Sequence, residues 1–279
     1  MSAVELVEED LRFKFYFQGQ FSLAYNKGKL DYGDFYLPRP NFFPVYSPSG
    51  RAVTTNCAYR YNHHKSIFLG HAVVNGINFF HDNAPEADNL GDVALAESEA
   101  EVTDSGISLR TRNNWVTKRG KQILAEDRDI EWRPGESVHV LDISSALRPT
   151  EEDVVFDKNN HAYIGVRVAD TIDVEDGGRA VDSNGGENEE GIMGQFVDWV
   201  DYSGTVAGAT VGVTLMNHPS NPPSPFFFRD YGTMMSCFTL NDIYEVKYGE
   251  TLVMRFRILV HEGGTQDVDI SGYHRDFCA

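Results

Sequence analysis

The chain has 279 residues, and 24 Lys and Arg against 42 Asp and Glu give it a net charge of −18. That balance excludes the basic surface needed by nucleic acid or an anionic membrane, so a small molecule is the expected partner. The N-terminus is acidic where a secretory signal would be basic, and no run nears the roughly 18 apolar residues of a spanning helix. Cys57, Cys237 and Cys278 show no CxxC pairing, which fits a reducing compartment; a cytoplasmic protein is expected.

Period-two runs dominate the chain. They predict strands over 13–17, 66–74, 107–110, 138–143, 163–168 and 253–259. Turn chemistry separates them at Lys27-Gly28-Lys29, Ser47-Pro48-Ser49-Gly50 and Lys118-Arg119-Gly120-Lys121. Residues 93–102 give the best short helix. Residues 170–194 carry eight acidic groups among six glycines, without the spacing of an EF-hand, and read as a solvated loop or a lid. With 18 Phe and 13 Tyr to fill a sheet-on-sheet core, the expectation is one all-β domain over 1–279, a large antiparallel β-sandwich.

The densest chemistry lies in 62–76. His63, His64, Lys65 and His71 place three imidazoles and an amine within nine residues. Imidazole transfers protons near neutrality and ligates transition metals. On a continuous strand Lys65 and His71 share a face, whereas His63 and His64 cannot. One of that pair serves a site while the other packs or holds a turn. A second cluster holds Asn217, His218 and Asn221, stiffened by Pro219 and Pro222. These readings make His63, His64, His71 and His218 the candidate acid/base residues. The alternative is a divalent metal on His63 or His64, His71 and His218. Lys65, Asn75, Arg167, Asn217, Asn221, Arg229 and Tyr231 are the candidate substrate contacts. His81, His139, His161, His261 and His274 read as ordinary core or surface histidines. GxGxxG on a strand–helix unit, GxxxxGK[ST], GxSxG and HExxH are all absent, which argues against nucleotide, α/β-hydrolase and zincin chemistry.

The run from His63 through Phe80 resembles the bacterial PmoA proteins, whose pattern is roughly DHPHHRSLWFAHGDVNGVDFW. Asn114-Trp115-Val116, 165–169, 199–204, 218–222 and 229–232 match in the same order. The resemblance implies a galactose mutarotase-like supersandwich and a role in carbohydrate catabolism rather than methane oxidation. There are departures from the pattern. Arg60-Tyr61-Asn62 replaces Asp-His-Pro, Lys65 replaces Arg, Asn217 an acid, and Asn160-His161 a Lys-Glu pair, while phenylalanines replace a Trp-His before Arg229. The lost carboxylates point to a more apolar substrate, such as a glycosylated or cyclic secondary metabolite.

The functional expectation is a lyase or hydrolase acting on a sugar, oxidised glycoside or glycosylated metabolite by histidine acid/base catalysis. Lys65 and Arg167 would steady developing negative charge. The alternatives are a His-ligated metal enzyme, a biosynthetic cyclase or isomerase, and a non-catalytic carbohydrate-binding sandwich.

Overall fold

A computed structural model describes residues 3–28, 39–59, 61–81 and 89–279; Lys29 and Arg60 lie outside them. The chain opens with β1 (Val4–Glu8), β2 (Arg12–Phe17), β3 (Gln20–Asn26) and β4 (Asn41–Val45). A ribbon of β5 (Asn56–Ala58) and β6 (Tyr61–Lys65) precedes β7 (Ile67–Leu69). Four long strands follow: β8 (Gly91–Val102), β9 (Ile107–Thr117), β10 (Gln122–Arg133) and β11 (Val138–Pro149). Then come β12 (Val154–Phe156), β13 (Ile164–Arg167), β14 (Arg179–Asp182), β15 (Trp199–Val206) and β16 (Ala209–Asn217). The last strands are β17 (Phe226–Arg229), β18 (Thr233–Ser236), β19 (Tyr244–Val246) and β20 (Leu252–Glu262). Helix α1 (Asn188–Ile192) lies in the acidic segment and α2 (Ile270–Cys278) closes the chain.

Two eight-stranded sheets result, ordered β1-β2-β3-β4-β7-β13-β18-β17 and β14-β15-β16-β20-β11-β10-β9-β8. Each neighbouring pair in them runs antiparallel. Their inner faces meet through large rings. Phe15 of β2 lies 5.6 Å from Trp132 of β10, and Phe228 of β17 stacks at 4.7 Å on Tyr202 of β15. Both pairs are buried, and this interdigitation makes the molecule an antiparallel β-sandwich.

The helix expected over 93–102 is instead most of β8. Its Ala, Leu and Glu residues favour helix locally, but pairing with β9 along the whole length overrides that preference. A register shift at Leu95/Glu97 and the exposed Glu97, Glu99 and Glu101 fit a sheet edge that must not recruit another strand. The acidic segment 170–194 is also more structured than a solvated loop. It holds a 3-10 turn (Asp170–Ile172), the edge strand β14 and α1. No helix of the described residues is long and apolar enough to cross a membrane. All three cysteines carry free thiols.

Candidate functional site

The strand expected over 66–74 is reduced to β7 (Ile67–Leu69), and the break at its start decides which side chains meet. Ser66 has φ +64, so the chain turns between β6 and β7 and the alternation of faces restarts there. Among the described residues β6 pairs only with β5, while β7 enters the first sheet between β4 and β13. His63, His64, Lys65 and Ser66 are all buried as a result.

The His63 ring faces a group assembled from three segments. Its centroid lies 4.6 Å from His81, which follows β7, and 5.6 Å from His161, in the loop before β13. The three residues can bring one ring nitrogen each to within 4.8 Å of one another. Among the described residues neither nitrogen of His63 has a hydrogen-bond partner, although the residue is only 8% exposed. Burial pushes His63 down to about 3, reinforced by His81, His161, Arg39 and Lys65. Burial, with His81 and Arg39, takes His161 down to about 4. These two rings are therefore neutral at pH 7 and present lone pairs. Arg39 supports the strand from behind, donating to the carbonyls of His63 (2.8 Å) and Phe80.

His64 points elsewhere. Its Nδ1 lies 3.0 Å from the Thr233 hydroxyl, and its ring runs nearly parallel to Tyr61 at 5.2 Å. Tyr61 in turn stacks on Tyr231 at 4.5 Å. Burial first, then Tyr61, raises the Tyr231 phenol well above its ordinary value, so it stays neutral. Arg167 sits beneath Tyr231, 5.4 Å from the ring centre, donating to the Tyr231 carbonyl and, at 2.9 Å, to Asp170. Arg229 pairs with Glu189 of α1, whose backbone N–H donates to Asp230 at 2.8 Å. The acidic segment thus docks on the turn that carries Tyr231.

The structure brings His63, His64, Arg167 and Tyr231 into one region, with Arg229 beside it, and separates the other candidates. His71 is fully buried. Its Nδ1 accepts from the Val73 N–H at 3.0 Å, so its Nε2–H donates to Thr239 at 2.8 Å, and Phe156 and Phe238 pack against the ring. Both nitrogens are committed to partners within the core, away from His63 and His64. His218 follows β16 of the other sheet, where Nδ1 accepts from the Ser220 N–H at 3.1 Å and the ring meets Phe277 of α2. The charged groups that press on it are Arg255 and His274, not those around His63. The expected ligand set of His63 or His64, His71 and His218 is therefore not assembled.

Three asparagines also have structural duties. Asn75 ties its turn to Asp153 and Val155. Asn217 bridges Ser224 and Ser236, and Asn221 clamps the backbone of Arg255 on both sides. Lys65 is buried, and its ammonium lies 3.1 Å from the Cys57 sulfur. The residues missed from the sequence are Tyr61, His81 and His161. His161 had one weak signal, its place where the PmoA pattern has a Lys-Glu pair, and His81 had none.

Among solved structures, a galactose mutarotase-like protein from Lactobacillus casei aligns over 92% of this chain and 100% of its own, at 7% identity and a TM-score of 0.39. A 4-alpha-glucanotransferase from Thermococcus litoralis aligns over 93% of this chain at 10% identity and a TM-score of 0.36. A beta-arabinopyranosidase does so over 93% at 7% identity and 0.33. The chain spans 37% of the glucanotransferase and 38% of the arabinopyranosidase. Scores this low carry no weight, and the sandwich rests on the strand pairing itself. No curated protein matches by sequence. Residues 12–275 match the sequence profile of DUF6807, a family of unknown function, and the chain belongs to that family.

Proposed function

We propose that the chain is an enzyme acting on a small hydroxylated molecule of sugar type, a lyase or hydrolase whose reaction takes place beside His63, His81 and His161. The observation that carries this reading is the convergence of three imidazoles from three separate segments. Burying a polar ring without a partner costs on the order of 1–3 kcal/mol, and His63 leaves both its nitrogens unpaired. Packing alone gives no return on that cost. A site that binds something at those lone pairs does.

The pH behaviour narrows the chemistry. A general base works best with a pKa near the working pH. At about 3 and about 4, His63 and His161 fall roughly four and three units short of pH 7, or about 4–5 kcal/mol of proton affinity. They serve better as lone-pair donors that hold a ligand than as proton carriers. Tyr61 and Tyr231 offer aromatic surface and neutral phenols to a sugar ring, and Arg167 brings a fixed positive charge beside them.

The test incubates the protein with a panel of glycosides and oxidised glycosides and reads products by mass spectrometry. Turnover that is lost in both His63→Ala and His161→Ala supports the proposal. Carbohydrate binding without product, unchanged in both variants, replaces it with a non-catalytic binding sandwich.

A further inference from the structure

We infer that His63, His81 and His161 together hold one divalent transition-metal ion. Any part this ion plays in turnover rests on the enzymatic reading above, but its binding does not.

The three rings reach one point from β6, from the segment after β7 and from the loop before β13. Were their nitrogens at the corners of a triangle 4.8 Å on a side, the largest separation the group shows, an ion at its centre would lie roughly 2.8 Å from each. A zinc–imidazole bond is about 2.1 Å, so shifts of about 0.7 Å, within reach of small side-chain rotations, close the site.

His161 is already oriented for the task. Asn159 Oδ1 lies 3.2 Å from its Nδ1 and also accepts its backbone N–H at 2.9 Å. A carbonyl oxygen can only accept, so Nδ1 carries the proton and Nε2 keeps its lone pair. This is the outer-shell arrangement that fixes a metal-binding histidine. His63 has no competing hydrogen bond on either nitrogen.

His81 differs. Asn78 Oδ1 accepts the N–H groups of Phe80 and His81, which turns its amide nitrogen toward His81 Nδ1 at 3.1 Å. Nδ1 therefore accepts from Asn78, and His81 must turn or exchange its proton to ligate. The site has one ligand with its tautomer fixed, one with no hydrogen bond to break, and a third that must rearrange to close on the ion.

The donor set selects the metal class. Three neutral imidazoles and no carboxylate suit zinc, cobalt, nickel, copper or iron and do not suit magnesium or calcium. Three protein ligands leave a position for water or a substrate oxygen. Arg39 and Lys65 add positive charge nearby. That charge favours an anion in the open position, and so a lowered pKa for bound water.

The experiment measures zinc and cobalt(II) by elemental analysis in protein purified without a histidine tag. It then titrates metal-free protein with cobalt(II) chloride, following ligand-field absorption and heat. One equivalent should bind. His63→Ala and His161→Ala should weaken binding at least 100-fold, His81→Ala less, and Asn159→Ala by 10-fold or more, with recovery in Asn159→Asp, which keeps the acceptor. His218→Ala should bind as the parent does.

Absence of stoichiometric binding overturns the inference, as does binding that survives both His63→Ala and His161→Ala or is lost with His218→Ala. Should His63→Ala fail to fold, the Asn159 pair decides by the same criterion. Stoichiometric metal with no turnover of the glycoside panel sinks the enzymatic reading and leaves the metal site standing.

Discussion

His63 and His64 are consecutive, with rings 4.5 Å apart and 84° between their planes, yet they belong to different neighbourhoods. His63 faces His81 and His161 and His64 faces Thr233, while the Tyr61 ring lies against both, 6.1 Å from His63 and 5.2 Å from His64. One dipeptide therefore links the imidazole cluster to the aromatic and arginine side of the site. Both rings stay neutral because burial disfavours their charged forms, His64 falling to about 2.

That neutrality makes the fold acid-sensitive. His63, His64 and His71 have folded values near 3, 2 and 3, against 6.5 for a free histidine. Depressed folded values mean stability that is complete above 6.5 and is lost as pH falls toward the folded values. Between pH 6.5 and 4.5 each residue should cost about 2 kcal/mol, on the order of 7 kcal/mol together, comparable with the whole stability of a typical domain. His261 works in the opposite sense, because Asp201 at 2.9 Å raises its value. Its pairing contributes most at low pH and fades as pH rises. Urea melts across pH 4–8 should show a steep decline below pH 6; a flat profile would contradict burial of these neutral rings.

His71→Ala should impair stability rather than the site. It removes a buried ring from between Phe156 and Phe238 and leaves the Val73 N–H without its acceptor, while the Thr239 hydroxyl keeps the Asn159 carbonyl. A loss of about 3 kcal/mol is expected from cavity and unsatisfied group together. Denaturant melts measure that loss, and cobalt binding at saturation should be unchanged in the folded variant.

Gly165 offers a route to the cluster through packing. A Cβ there would lie 2.6 Å from the Phe68 ring, which packs at 5.2 Å on Phe80, itself 5.8 Å from His63. Gly165→Ala should cost about 1–3 kcal/mol by overpacking and should weaken metal binding by displacing those rings. A variant as stable as the parent would show that Phe68 yields freely.

Tyr61→Ala tests the aromatic face. It removes the ring that stacks on Tyr231 and lies parallel to His64 while leaving His63, His81 and His161 in place. Sugar affinity should fall by about 10-fold, for a contact of roughly 1.4 kcal/mol, with one equivalent of cobalt still bound. Equal loss of both would mean that Tyr61 supports the fold around the cluster instead of the ligand.

Local patterns by themselves determined much of the sandwich. Alternation in β2, β9, β11 and β20 is a property of neighbouring residues, and the strands formed where the pattern placed them. β8 escaped that reading because its composition favours helix and only pairing with β9 makes it a strand. The density of histidines at 63 and 64 was legible for the same local reason. Their partners were a matter of tertiary structure. His81 and His161 lie 18 and 98 positions beyond His63, and they meet it because β7 and β13 pair side by side while Ser66 turns β6 away from β7. His71 and His218 carry the same chemistry, yet hydrogen bonds and sheet placement assign them to the core and to the opposite sheet. Side-chain chemistry is written residue by residue, but which lone pairs converge depends on strand order, and strand order is fixed by contacts between residues far apart in the chain.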